Sequence, residues 1–148
     1  MNQLSSILQL DDILLDVDIT SKKRAFEQVA LHFENTRGIA RATVFDGLFS
    51  RERLGSTALG HGVAIPHGRI PKLDQAYAAF MRLANPIAFD APDGKSVQLL
   101  VCLLVPEHAT QEHLDLLAAI AQKLSDEQVR AKLLSTSDTD VIHQLLTQ

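Results

Sequence analysis

Apolar residues recur at helical spacing through residues 22–37, where Phe26, Val29, Ala30 and Phe33 fall on one face, and this period predicts a helix. Thr20 or Ser21 supplies the cap at its start and Gly38 its end. Residues 41–53 repeat the pattern with Phe45, Leu48 and Phe49, and the segment stops before Gly55. Ahead of both, residues 4–8 read as a short helix or turn, and the partial alternation of residues 13–19 predicts a strand. After Gly55 the period changes. Short apolar runs at residues 57–59, 63–65 and 77–83 predict strands, with turns at 60–62 and 68–73 between them. Asn85-Pro86 and Ala91-Pro92-Asp93-Gly94 frame a loop anchored by Phe89. Residues 97–105, VQLLVCLLV, are apolar at both alternating sets, which predicts a strand buried on both faces at the centre of an α/β sheet. Pro106 ends it. In the last third, Thr110 caps a helix whose apolar stripe is Leu114, Leu117, Ala118, Ala121 and Leu124. Helical segments follow at 129–134 and 141–146, the latter capped by Ser137 or Asp138. Strands in the middle with helices before and after predict a layered α/β domain. Neither an internal repeat nor an interdomain linker interrupts the pattern, so residues 1–148 read as one domain.

Composition narrows this picture. A chain of 148 residues, 46% hydrophobic and 22% charged, suits a soluble globular fold and excludes a disordered or coiled-coil protein. A formal charge of -4 opposes a nucleic-acid footprint but leaves room for a small anion site. The single cysteine, Cys102, lies in the most hydrophobic segment, so it reads as a small core residue of a protein in a reducing compartment. The N-terminus lacks a basic region followed by a continuous apolar core. No apolar run approaches the ~20 residues of a membrane helix. A cytoplasmic setting without membrane insertion is the expectation.

Chemistry concentrates in the histidines. Of the six, His32 and His143 fall within helical patterns as partly exposed residues, and His108 lies in a polar loop. His61, His67 and His113 remain, two of them in the stretch GHGVAIPHGR. A metal site built on His61 and His67 needs a further ligand, with Glu52, Glu107 and Glu112 available, but neither HExxH nor CxxC spacing is present. The expectation is no metal and no cofactor. GxGxxG, GxxxxGK[ST] and GxSxG motifs are absent as well. A covalent histidine site fits better, because a neutral imidazole is nucleophilic near pH 7. Gly68 removes a side chain beside His67, Pro66 restricts the backbone before it, and Arg51, Arg53 and Arg69 offer guanidinium groups for phosphate oxygens. On the residues alone, the glycines serve turns and the arginines a solvated surface equally well.

The segment RERLGSTALGHGVAIPHG at residues 51–68 resembles the active-site signature of the fructose/mannitol-class IIA domains of the sugar phosphotransferase system, and most resembles their nitrogen-regulatory branch. The likeness extends through the opening LSSIL, the SKKRAFE helix start, NPIAFDAPDGKSVQLLVCLLVP and the helix around His113. The resemblance implies a three-layer fold with a central mixed β-sheet flanked by helices on both faces. It also implies that His67 is phosphorylated reversibly by a histidine phosphocarrier protein, with Arg51 and His113 as further active-site residues. Gly55, Ser56 and Thr57 match the loop shaping the site. His61 departs from the branch, which more often carries a small polar residue there, and it reads as an accessory turn residue beside the site. Two functions follow from the resemblance. One is a phosphorylation-controlled regulator of transport or sensor proteins in nitrogen or potassium regulation, and the other is a phosphoryl-transfer component serving a sugar permease. The chain carries neither a phosphocysteine segment nor a permease segment, which favours the regulator.

Overall fold

The computed structural model describes residues 2–108 and 110–148. After short 3-10 turns at Gln3–Ser6 and Leu10–Asp12 come strand β1 (Ile13–Val17) and helices α1 (Lys22–Arg37) and α2 (Arg41–Glu52). Strands β2 (Ala58–Gly60), β3 (Val63–Ala64), β4 (His67–Ile70), β5 (Tyr77–Ile87) and β6 (Val97–Pro106) follow. Helices α3 (Gln111–Leu124), α4 (Glu127–Ser135) and α5 (Thr139–Thr147) end the chain. Among the described residues the strands form one six-stranded sheet ordered β1-β5-β6-β3-β2, with β4 also on β6. The sheet is mixed: β1 runs parallel to β5, β5 antiparallel to β6, and β3 and β4 parallel to β6.

The two apolar registers of β6 explain the layering. Leu100, Cys102 and Leu104 face the core shared with Phe26, Phe33, Leu48 and Phe89, under α1 and α2. Leu99, Val101, Leu103 and Val105 face the opposite core, with Leu116, Ile120, Leu133, Ile142 and Leu146 from α3, α4 and α5. A strand covered on both faces has to be apolar on both, and from Leu99 to Val105 this one is. Cys102 is wholly buried, which pushes its thiol well above the usual range. The three-layer fold is therefore the one the resemblance implied.

Several elements differ from the sequence expectation. The turn expected at 68–73 begins later, because residues 67–70 form β4 in register with residues 103–106 of β6. The loop expected at Asn85-Pro86 is instead the end of β5. Pairing with β1 stops at Leu83 and the register with β6 shifts between Arg82 and Ile87, so Pro86 falls in an irregular stretch where proline is tolerated. The stripe of α3 is also rotated. Leu116, Ile120 and Leu124 enter the core, whereas Leu114 is 57% exposed. His32 is partly exposed on α1, as expected, but it has a partner the sequence did not show: its Nε2 lies 2.7 Å from Asp12 Oδ1. Asp12 also accepts from Arg37 Nη2 at 2.7 Å and from the Gln9 N–H at 2.9 Å. Burial raises the Asp12 pKa, but these hydrogen bonds outweigh it and hold the carboxyl below its ordinary value. His143, likewise, is tied by Nε2 to the Leu8 carbonyl at 2.8 Å.

Helix α2 sits against β4 through two glycines. A Cβ on Gly68 would lie 2.6 Å from the carbonyl carbon and oxygen of Gly47 and 2.9 Å from the Leu48 nitrogen. Those atoms are helix backbone and have no slack. Gly68 therefore brings a helix close to a strand, and it does not open space around His67 as its position in the sequence suggested. Gly68→Ala is expected to lower unfolding free energy by roughly 1–3 kcal/mol, the usual cost of overpacking. Urea denaturation measures it, and an unchanged midpoint would contradict this packing account.

Candidate active site

Proline 66 interrupts the chain that runs along β6, separating β3 from β4 while the register on both sides is kept. The Pro66 carbonyl accepts from the Leu103 N–H at 2.9 Å, and Ile65 instead donates its N–H to the Thr57 carbonyl at 3.1 Å. The Ile65 carbonyl is left facing the ring of His67, whose Nδ1 lies 2.8 Å away. A carbonyl only accepts, so Nδ1 carries the proton and Nε2 holds a free lone pair. Burial lowers the pKa of half-buried His67 below the ordinary imidazole value. The Ile65 hydrogen bond opposes this, the positive charge of Arg51 lowers it further, and Glu52 again opposes. The net direction is down, so the ring is neutral near pH 7. Because the neutral form is lost as pH falls through this depressed pKa, its NMR titration midpoint is expected below 6.5, the unperturbed value. A midpoint at or above that value would contradict the assigned environment.

His67 opens into a groove of about 600 Å³ between α2, β4 and α3, lined also by Arg51, Arg69, His113, Leu114 and Leu117. Arg51, in the last turn of α2, donates from Nη1 to the Gly55 carbonyl at 2.8 Å. Gly55 has φ +152°, a backbone angle that L side chains rarely adopt, and the loop that turns its carbonyl back to Arg51 uses that freedom. Arg69 lies two residues after His67 and so on the same side of β4. Among the described residues neither Arg51 nor Arg69 is paired with a carboxylate. Arg53 does not line the groove.

His113 occupies the first turn of α3, where its Nδ1 accepts from the Thr110 N–H at 3.1 Å. A backbone N–H only donates, so Nδ1 is bare and the neutral ring carries its proton on Nε2. The two histidines in the groove thus hold opposite tautomers: His67 has a bare Nε2, and His113 an Nε2–H.

The loop residues divide. The Ser56 hydroxyl donates to the Phe89 carbonyl at 2.6 Å, and buried Thr57 is bonded to Glu52, so both fasten the loop. His61 does not belong with them. It sits at φ +56° in the turn between β2 and β3, its N–H bonded to Asp93 at 2.8 Å. The adjacent Gly62 carbonyl meets Gln98 and Leu99 of β6, whereas Pro66 meets Leu103. That places His61 roughly 13–17 Å along the strand from His67, at ~3.3 Å per residue. His61 is thus a turn residue, as expected, but the register does not bring it and His67 together. Among the described residues no three His, Cys, Asp or Glu side chains come together as a metal site. Two features escaped sequence reasoning. Glu52 is buried, and Leu54 and Leu114, 83% and 57% exposed, rim the groove. The only available signal was Leu54 itself, an isolated large apolar residue between arginine and glycine.

Residues 6–148 match the family of EIIA 2 domains of the phosphoenolpyruvate-dependent sugar phosphotransferase system, and the chain belongs to that family. Within it, the chain is 42% identical to the nitrogen regulatory protein of Pseudomonas aeruginosa, covering 99% of this chain and 96% of the relative. It is 39% identical to that of Bradyrhizobium diazoefficiens, covering 97% and 94%. The crystal structure of nitrogen regulatory protein IIA-Ntr from Neisseria meningitidis superposes with a TM-score of 0.94 at 47% identity, covering 99% of this chain and all of that one. No helix among the described residues is long and apolar enough to cross a membrane.

Proposed function

We propose that the chain accepts a phosphoryl group on Nε2 of His67 from a histidine phosphocarrier protein, and that its phosphorylation state selects the regulatory or transport proteins it binds. The observation that carries this reading is the pair of opposed tautomers in one groove. The Nε2 lone pair of His67 attacks phosphorus and forms the new N–P bond. The bond to the donor imidazole breaks, and its electron pair returns to the donor nitrogen. The Nδ1–H of His67 stays on the Ile65 carbonyl, which stabilises the positive charge developing on the ring. Arg51 offers positive charge to the equatorial oxygens, and the Nε2–H of His113 offers a hydrogen bond. Each is presented before the phosphoryl group arrives, so little reorganisation accompanies transfer.

Exposed Leu54 and Leu114 give a donor protein an apolar rim to dock on. A phosphoryl group adds about -1.5 to -2 charge at neutral pH, set within that rim, and so changes which partner surface fits. The regulatory reading draws support from full-length similarity to nitrogen regulatory proteins. It also draws support from Cys102, a wholly buried thiol that offers this chain no second carrier site. Incubation with phosphoenolpyruvate, the first enzyme of the system and the phosphocarrier is expected to add one phosphoryl group by mass. Pull-downs with the two forms are expected to retain different regulatory or transport proteins. Retention of sugar-permease subunits alone would contradict the regulatory role.

A further inference from the structure

We propose that Glu52 and Thr57 form a positioning junction that sets Arg51 and His67 in one geometry for phosphoryl acceptance, an inference that rests on the function proposed above. Glu52 is the last residue of α2, immediately after Arg51, and its side chain is 3% exposed. A carboxylate buried at a helix C-terminus is doubly disfavoured, by lost hydration and by the negative end of the helix dipole. Three donors offset this. Oε2 accepts from Lys22 Nζ at 2.9 Å and from the Thr57 N–H at 3.0 Å, and Oε1 accepts from the Thr57 hydroxyl at 2.6 Å. Lys22 itself lies 4.5 Å from the Phe89 ring centroid, over an aromatic face that favours its charge.

Two branches leave this junction. Closing residues 52 to 57 on one another defines the loop whose Gly55 carbonyl holds the Arg51 guanidinium. The Thr57 carbonyl accepts from the Ile65 N–H at 3.1 Å, and the Ile65 carbonyl accepts from His67 Nδ1 at 2.8 Å. One carboxylate is thereby connected, through hydrogen bonds joined by the Thr57 and Ile65 backbone, to the carbonyl that fixes the tautomer of the nucleophile. Through the loop it is also connected to the carbonyl that aims the cation. Neither Glu52 nor Thr57 needs to touch the phosphoryl group. Their effect passes through Arg51 and His67, so it falls on the geometry of transfer and leaves docking on the exposed rim intact.

The test uses the full chain as Thr57→Val, which removes the hydroxyl donor while keeping the side-chain volume, with Thr57→Ser as the conservative rescue. Rapid-quench kinetics follow phosphoryl acceptance from the charged phosphocarrier, and long-range 1H–15N spectra of the unphosphorylated protein read the His67 tautomer. Thr57→Val is expected to lower kcat roughly 10-fold, as small misplacements of reacting groups do, with KM within about twofold. The Nδ1–H form of His67 is expected to lose population, and Thr57→Ser to restore rate and tautomer. A kcat within about twofold of wild type, an unchanged tautomer, or a loss that serine does not restore overturns the proposal. Should Thr57→Val fail to fold, Glu52→Gln carries the same readouts. A wild-type protein that takes up no phosphoryl group would overturn the proposed function instead, and the tautomer measurement would still judge the junction.

Discussion

His67→Ala is expected to gain no phosphoryl group from the charged phosphocarrier under conditions where the wild type is fully modified. Among the described residues the groove presents one imidazole nitrogen whose lone pair is unengaged, Nε2 of His67. The proton of the neighbouring His113 sits on Nε2, and its Nδ1 is occupied by the Thr110 N–H. Removing His67 therefore leaves no second nucleophile in position. The substitution is also mild for the fold. His67 is half-buried, and the hydrogen bond its side chain makes is to the Ile65 carbonyl, so the stability loss is about 1 kcal/mol. Intact-mass measurement after incubation reads the outcome, and a thermal melt separates it from unfolding. A variant that becomes phosphorylated as readily as wild type would remove His67 from the centre of the account.

Arg51→Ala is the second large effect. Its guanidinium shares the groove with His67, is free of any carboxylate partner among the described residues, and is held from behind by the Gly55 carbonyl. Loss of one preorganised group that stabilises transition-state charge slows transfer by roughly 10²–10³-fold. The effect is expected in kcat more than in KM, because the docking rim of Leu54 and Leu114 is untouched. Arg51→Lys recovers only part of the rate, since an ammonium neither grips two oxygens at once nor reaches Gly55 with the same fork. Rapid-quench rates for the two variants decide this. An alanine variant within about threefold of wild type would show that the charge does not act on the transferring group.

The layers of the fold were legible where burial forces a simple pattern. The apolar run of β6 announced a strand covered on both faces, and the spacing of Phe26, Val29, Ala30 and Phe33 announced α1. The pattern misled where one side of an element meets something other than the core. Leu114 borders the groove and Leu117 lies between groove and core, so the stripe drawn through them missed Leu116 and Ile120. Pro86 read as a strand breaker because a sequence does not show where the pairing of a strand lapses. The site was legible only in part. PHG marked His67 and the resemblance picked out Arg51, but the separation of His61 from His67 depends on pairing with β6, which lies more than thirty residues away in the chain. Glu52 was legible as a carboxylate and nothing more. Its role depends on Thr57 folding back onto it and on Lys22 reaching across from another helix.

The central claim is that the acceptor is Nε2 of His67, with Nδ1 held protonated by Ile65. A long-range 1H–15N correlation spectrum of the phosphorylated protein tests it directly, because phosphorus coupling identifies the substituted ring nitrogen. The account predicts coupling at Nε2 of His67 and a retained proton on Nδ1. Coupling at Nδ1 of His67, or on any other residue, would contradict it.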